Sequence, residues 1–282
     1  MHLTLGHSPD PDDAFMFYAL AAGKIPTGSY SFEHILQDIQ TLNERAQRAE
    51  LDITAVSIHA YAYLTRDYAL LPSGASMGDN YGPMLVGPRR IERKEIGRSR
   101  IAVPGRLTSA FLSLQLYLDR MGEDLDVVVV PFDQIFAALH RGEADLGLII
   151  HEGQLTYAQE GFQLSEDLGQ WWFQETGGLP LPLGGNVIRK ALGRAVMEEV
   201  SDLLTASIRY GLEHRAAGVE HALPLGRGLD RAMADRFIGM YVNELTLDYG
   251  ERGRRAIREF LDRGHRLGVI PEPVELEFVG ES

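Results

Sequence analysis

The chain has 282 residues, 45% of them hydrophobic, with 27 lysines and arginines against 40 aspartates and glutamates, a formal net charge of −13. That length accommodates two domains of roughly 100–200 residues each. An acidic balance without a basic cluster leaves no electrostatic footprint for a nucleic-acid backbone or an anionic membrane surface.

With no cysteine, disulfides, thiolate nucleophiles and thiolate-held zinc or iron–sulfur sites are excluded. The nine histidines are then the side chains that titrate near neutrality. The start, Met1-His2-Leu3-Thr4, has neither the basic nor the long apolar region of a secretory signal. No run reaches the roughly 18 apolar residues that span a bilayer. The expectation is a soluble, cytoplasmic protein.

In chain order, short apolar runs alternate with helix-period segments, the pattern of an α/β protein. Residues 2–6 read as a strand and 13–22 as a helix. Between them Ser8-Pro9-Asp10-Pro11-Asp12 supplies cap acceptors, helix-entry prolines and negative charge for the helix start. Strands follow at 32–36 and 52–57, helices at 39–49 and from 58 to 64, and a strand at 81–86. A second set pairs strands 100–103, 125–130 and 144–150 with helices 108–121 and 132–141. Each strand feeds a helix, which favours parallel βαβ pairing. Residues 161–182 read as a return connection, and 187–212, 229–245 and 254–267 as helices. This order fits a larger α/β lobe from residues 1–90 and 180–282 with a smaller one, 91–179, inserted. Two such lobes enclose a cleft of the kind in which small molecules bind.

No P-loop, G-x-G-x-x-G or H-E-x-x-H motif occurs, so nucleotide, dinucleotide and zincin chemistry lack support. Gly74-Ala75-Ser76-Met77-Gly78 fits G-x-S-x-G, but turn chemistry rather than a helix follows it, against a nucleophile elbow. Asp10, Asp12 and Asp13 lack the spacing of a calcium loop, and helix capping explains them.

Ser57 closes an apolar strand and opens a helix, where a ligand or an ordinary cap interaction would use it. Thr108 and Ser109 open another helix after Pro104-Gly105, with hydroxyls and helix-start N–H groups suited to a carboxylate or, equally, to capping. His151 follows the apolar strand ending at Ile150. It is placed there either as a general base or as a structural histidine bonding backbone. His59 is a weaker candidate, and His140, His214 and His265 read as surface residues of helices.

Five segments in this order resemble the 1,4-dihydroxy-6-naphthoate synthases of the futalosine route to menaquinone. They are Ser8–Phe15 with its Pro-Asp-Pro-Asp-Asp core, Ala55-Val56-Ser57-Ile58-His59-Ala60-Tyr61, the stretch from Gly74 to Pro83, Pro104–Ala110, and Ile150-His151-Glu152 with Thr156-Tyr157. The resemblance implies a two-lobed fold like type II periplasmic binding proteins, used as a carbon–carbon lyase. It implies cleavage of cyclic dehypoxanthinyl futalosine to 1,4-dihydroxy-6-naphthoate with release of dihydroxyacetone, and no cofactor or metal. His151 takes the catalytic role, and Ala55, Val56, Ser57, Thr108 and Ser109 the contacts to a small anionic substrate. A chorismate-dehydrating enzyme of the same route and a non-catalytic small-anion binder are the alternatives.

Overall fold

In the computed structural model, which describes residues 1–281, the chain divides into two compact units. Of the described residues, the first holds 1–77, 184–251 and 275–281; the second holds 78–183 and 252–274. The sequence reading keeps every C-terminal helix with the larger lobe. The helix Gly250–Arg266 instead belongs from Arg252 onward to the second unit. Its apolar face accounts for this: Phe260 meets Trp172 edge-on at 5.5 Å, and Gly264 lies against Leu112.

The first unit is built on β1 (His2–His7), β2 (Ser31–Leu36), β3 (Ile53–Ser57), β4 (Tyr68–Leu70) and, from Gly184 onward, β11 (Leu181–Arg189), in the order β2-β1-β3-β11-β4, with β5 (Ser76–Gly78) pairing β11. β1 runs parallel to β2 and β3, as expected for βαβ units, while β11 is antiparallel to β3 and β4. The expected helix from 187 therefore begins later, at Arg194. Val187 and Ile188 are fully buried and paired to β3 and β4. A short apolar run of this kind has no periodicity that separates strand from helix. The expected helix 13–22 is two short helices, Pro11–Met16 and Tyr18–Ala21. One sheet face packs Leu3, Leu5 and Ile53 with Phe15, Leu204, Ile208 and Ile238; Leu42, Leu51 and Ala55 form a separate small cluster.

The second unit's sheet has the order β10-β6-β9-β7-β8, from β6 (Met84–Gly87), β7 (Ile101–Val103), β8 (Val127–Val129), β9 (Leu146–Ile149) and β10 (Gln163–Asp167). β7 is parallel to β8 and β9, whereas β6 is antiparallel to β9 and β10. The parallel pairing expected among strands 100–103, 125–130 and 144–150 is present, whereas β6, expected in the larger lobe, joins this sheet antiparallel, as does β10. The run 125–130 is also not buried: β8 is an edge strand with Val129 48% exposed. Period-two alternation sorts the side chains onto opposite faces. Leu85, Ile101, Val103 and Leu148 pack with Phe111 and Leu114; Val86, Ala102 and Ile149 pack with Ile135 and Leu139. The stretch read as a return connection contains β10 and the helix Leu168–Glu175. Among the described residues no helix is long and apolar enough to cross a membrane.

Candidate functional site

In the first unit, the loop after β1 folds as its composition dictates. Asp10 is the N-cap of the helix Pro11–Met16, accepting from the Asp13 N–H at 3.2 Å, with Pro11 in the first helical position. The Asp13 carboxyl also accepts from the Ser8 N–H at 2.7 Å, which pins the loop across its own base. All three carboxyls are buried. Burial, followed by the charge of Asp10, raises the Asp12 and Asp13 pKa values well above the usual carboxylate range.

Ser57 ends β3 and sits at the cap position of the helix Ile58–Tyr61, yet its side chain makes no capping bond. Asn43 from the helix Ile39–Gln47 engages it instead. The Asn43 amide donates to the Ser57 hydroxyl oxygen at 3.0 Å, and its oxygen accepts from the Ser57 N–H at 2.8 Å. The ordinary capping reading of Ser57 is thereby removed. Ala55 packs with Leu42 and Leu51, and Val56 is fully buried. Both pair through the antiparallel register with Asn186 and Gly185 of β11. Asn186 is buried too, donating through Nδ2 to the Gly74 carbonyl at 3.3 Å.

His7, at the end of β1, is a residue that motif reasoning missed. Nδ1 lies 3.2 Å from the Ser8 carbonyl and Nε2 lies 3.1 Å from His34 Nδ1. A carbonyl only accepts, so the neutral His7 ring carries its proton on Nδ1 and its Nε2 accepts the Nδ1 proton of His34. Burial first, then His34, lowers the His7 pKa to about 4. No spacing rule finds such a pair, because it joins neighbouring parallel strands 27 residues apart.

In the second unit, Thr108 caps the helix Ser109–Leu118. Its hydroxyl accepts from the Phe111 N–H at 3.2 Å and donates to the Gly105 carbonyl at 2.8 Å. Ser109 donates its hydroxyl proton to the Leu183 carbonyl at 2.6 Å. The structure thus brings these neighbours together at a buried helix start, with both hydroxyl protons engaged by carbonyls.

His151 lies just past β9, half-buried, with its backbone in the left-handed region at φ 55°. That conformation costs a side-chain-bearing residue roughly 1–2 kcal/mol and is tolerated better by histidine than by branched residues. The imidazole packs on Phe132, with centroids 4.6 Å apart. The carbonyl of His151 accepts from the Gln154 N–H at 3.1 Å, starting the turn into the helix Gly153–Thr156. Of the weaker candidates, His59 is buried and lies 5.8 Å from the Tyr63 ring. His140 and His214 are exposed side chains, the first tilted against Phe162 and the second stacked on Tyr210. His265 is part-buried and bonds the Ile270 carbonyl. Ser76 lies in β5 and forms no elbow.

A family model described as menaquinone biosynthesis matches residues 3–266. A 1,4-dihydroxy-6-naphthoate synthase of Streptomyces coelicolor is 37% identical over 271 residues, covering 95% of each chain. One from Thermus thermophilus is 35% identical over 272 residues, covering 96% of this chain and 97% of its own. A protein of Archaeoglobus fulgidus known from its crystal structure is 43% identical with a TM-score of 0.89, over 95% of this chain and 98% of that one. The alkanesulfonate-binding protein of Xanthomonas axonopodis pv. citri, 14% identical, covers 97% of this chain and 95% of its own at a TM-score of 0.73. That last likeness concerns the fold alone, an α/β periplasmic-binding-protein fold. Matched over nearly its whole length, the chain belongs to the menaquinone biosynthesis family of 1,4-dihydroxy-6-naphthoate synthases.

Proposed function

We propose that the chain is a carbon–carbon lyase that converts cyclic dehypoxanthinyl futalosine to 1,4-dihydroxy-6-naphthoate with release of dihydroxyacetone, and that His151 is its general base. The observation that carries this reading is the placement of His151. It follows a buried strand end, is held in a left-handed backbone conformation and is packed on Phe132. Strand carboxyl ends are where α/β folds present ligand-binding groups, and backbone in sparsely populated regions clusters at functional sites.

In this reading the imidazole takes a proton from the substrate, the carbon–carbon bond breaks, and formation of the aromatic ring draws the reaction forward. The aromatic carboxylate is received by neutral donors, which an acidic chain supplies as well as a basic one. Ser57 contributes a hydroxyl oriented by Asn43, and β3 contributes backbone at Ala55 and Val56. Thr108 and Ser109 contribute the start of the helix Ser109–Leu118, where Phe111 and Leu112 already bond Thr108. Among the described residues the Ala110 N–H remains for a ligand.

The test combines product identification with a variant. Incubation with cyclic dehypoxanthinyl futalosine is expected to yield 1,4-dihydroxy-6-naphthoate by mass spectrometry, and incubation with chorismate to leave it unchanged. His151→Ala is expected to lower turnover by about 10²–10⁴, with substrate binding retained by calorimetry. Turnover within about tenfold of the parent overturns the role of His151.

A further inference from the structure

The helix Ser109–Leu118 has a second distinctive end. Beside its C-terminus, wholly within the second unit, lies a cavity of about 480 Å³ bounded by Arg93, Leu116, Trp171, Arg263, Arg266 and Leu267. Ten residues of helix, about 15 Å, separate this end from Ser109. The volume falls within the roughly 300–1,000 Å³ typical of small-molecule sites.

The three guanidiniums are not equivalent. Arg263 is committed, with Nε 2.7 Å from Glu259, Nη1 3.5 Å from Glu175 and its guanidinium 5.1 Å over the Trp172 ring. Arg266 shares the same Glu259 oxygen at 3.6 Å, and its side chain is 61% exposed. Arg93 lies 4.4 Å over the Tyr117 ring and donates to the Tyr117 carbonyl. Among the described residues it has no carboxylate at ion-pair distance. The cavity's remaining carboxylates belong to Glu175, already facing Arg263, and to Asp119, the left-handed C-cap of the helix. With Glu259 counted, three guanidiniums stand against three carboxylates, so what this wall offers an anion is chiefly Arg93, which among the described residues faces no carboxylate at ion-pair distance.

Its apolar part is aromatic. Trp171 is half-buried and held edge-on to Tyr117 at 5.4 Å, and Leu116 and Leu267 also line the cavity. An indole on an apolar wall can take a flat ring, and Arg guanidiniums offer paired donors to a carboxylate. The geometry points to a second ligand site here, for a planar aromatic carboxylate: the ring lies against Trp171 and the carboxylate meets Arg93 and Arg266. The site is separate from the chemistry assigned to His151.

The sequence itself provides the reporter, because Trp171 and Trp172 are the two tryptophans of the chain. Trp172 is fully buried and its indole donates to the Pro180 carbonyl at 3.1 Å. In a ¹⁵N-resolved NMR titration with 2-naphthoate, the Trp171 indole N–H resonance is expected to shift while that of Trp172 stays. Arg266→Ala, an exposed change that leaves folding intact, and Arg93→Ala are each expected to raise the Kd at least tenfold. The uncharged 2-naphthamide is expected to bind at least tenfold more weakly than the acid. His151→Ala is expected to give the parent shift, which separates this site from the proposed catalytic reading. An unmoved Trp171 resonance, an unchanged Kd in both arginine variants, or equal binding of the amide overturns the proposal.

Discussion

The Ser57 hydroxyl is oriented from outside its own helix, by an amide 14 residues earlier. Asn43 is fully buried and meets both the backbone and the side chain of Ser57. Asn43→Ala leaves a buried N–H without its acceptor, which costs about 1–3 kcal/mol. The expected outcome is a drop of that size in urea unfolding followed by circular dichroism, together with a higher KM. A variant with parent stability would show that Asn43 holds nothing in place. His7 makes a pH-dependent contribution. Its pKa falls from 6.5 to about 4 on folding, so as pH drops the unfolded chain takes the proton first. The stability it contributes is complete above pH 6.5 and is lost as pH falls toward 4. Asp167, raised to about 6, acts in the opposite sense over the same range, so the informative quantity is the difference between parent and variant. The advantage of the parent over His7→Asn is expected to shrink by about 3 kcal/mol between pH 7.5 and pH 4. A constant difference refutes the assignment.

At the scale of elements, what was readable in the sequence followed local chemistry. The Asp10 cap, the Thr108 cap, β1, β3, β7 and β9 come from short-range patterns and appear where they were expected. What was not readable depends on contacts between distant segments. β10 and the helix Leu168–Glu175 were hidden in a mixed stretch. They owe their place to Gly82 and Gly169, whose backbones approach so closely that a Cβ on Gly169 would lie 1.9 Å from the Tyr81 carbonyl. Asp167 starts that helix, accepting from the N–H groups of Gly169 and Gln170 at 2.9 and 3.1 Å. Burial nonetheless raises its pKa from 3.8 to about 6. Its folded form keeps a proton that the unfolded form has lost, so the stability present at low pH disappears as pH rises through about 6. Asn caps as well as Asp without carrying a charge. Asp167→Asn is therefore expected to exceed the parent by about 2–3 kcal/mol at pH 8 and to match it at pH 4. Tryptophan fluorescence in urea reads this directly, since both tryptophans lie in the helix that Asp167 caps. Equal stability at pH 8 would mean that burial imposes no charge cost there.

On the scale of the whole molecule, neither unit is one continuous stretch of chain. After the helix Gly250–Arg266, whose later residues belong to the second unit, the chain returns from Glu275 to the first. The return is anchored in backbone: Leu70 donates to the Glu277 carbonyl at 2.9 Å, and Val279 donates to the Leu70 carbonyl at 2.8 Å. Phe278 forms the parallel bridge to Leu70 and meets Tyr249 at 5.3 Å, with 2% of its surface exposed. These few residues extend a sheet that begins at the other end of the chain, so their effect on stability should exceed what their number suggests. A chain ending at Val274 loses both hydrogen bonds and exposes the bed of Phe278. The expected loss exceeds the roughly 3–5 kcal/mol of truncating a buried aromatic alone. Phe278→Ala, which keeps the backbone pairing, should recover part of that loss. Both values come from urea unfolding monitored by circular dichroism. If the truncated chain matched the parent, the tail would be a passive end, and the first sheet would be complete without it.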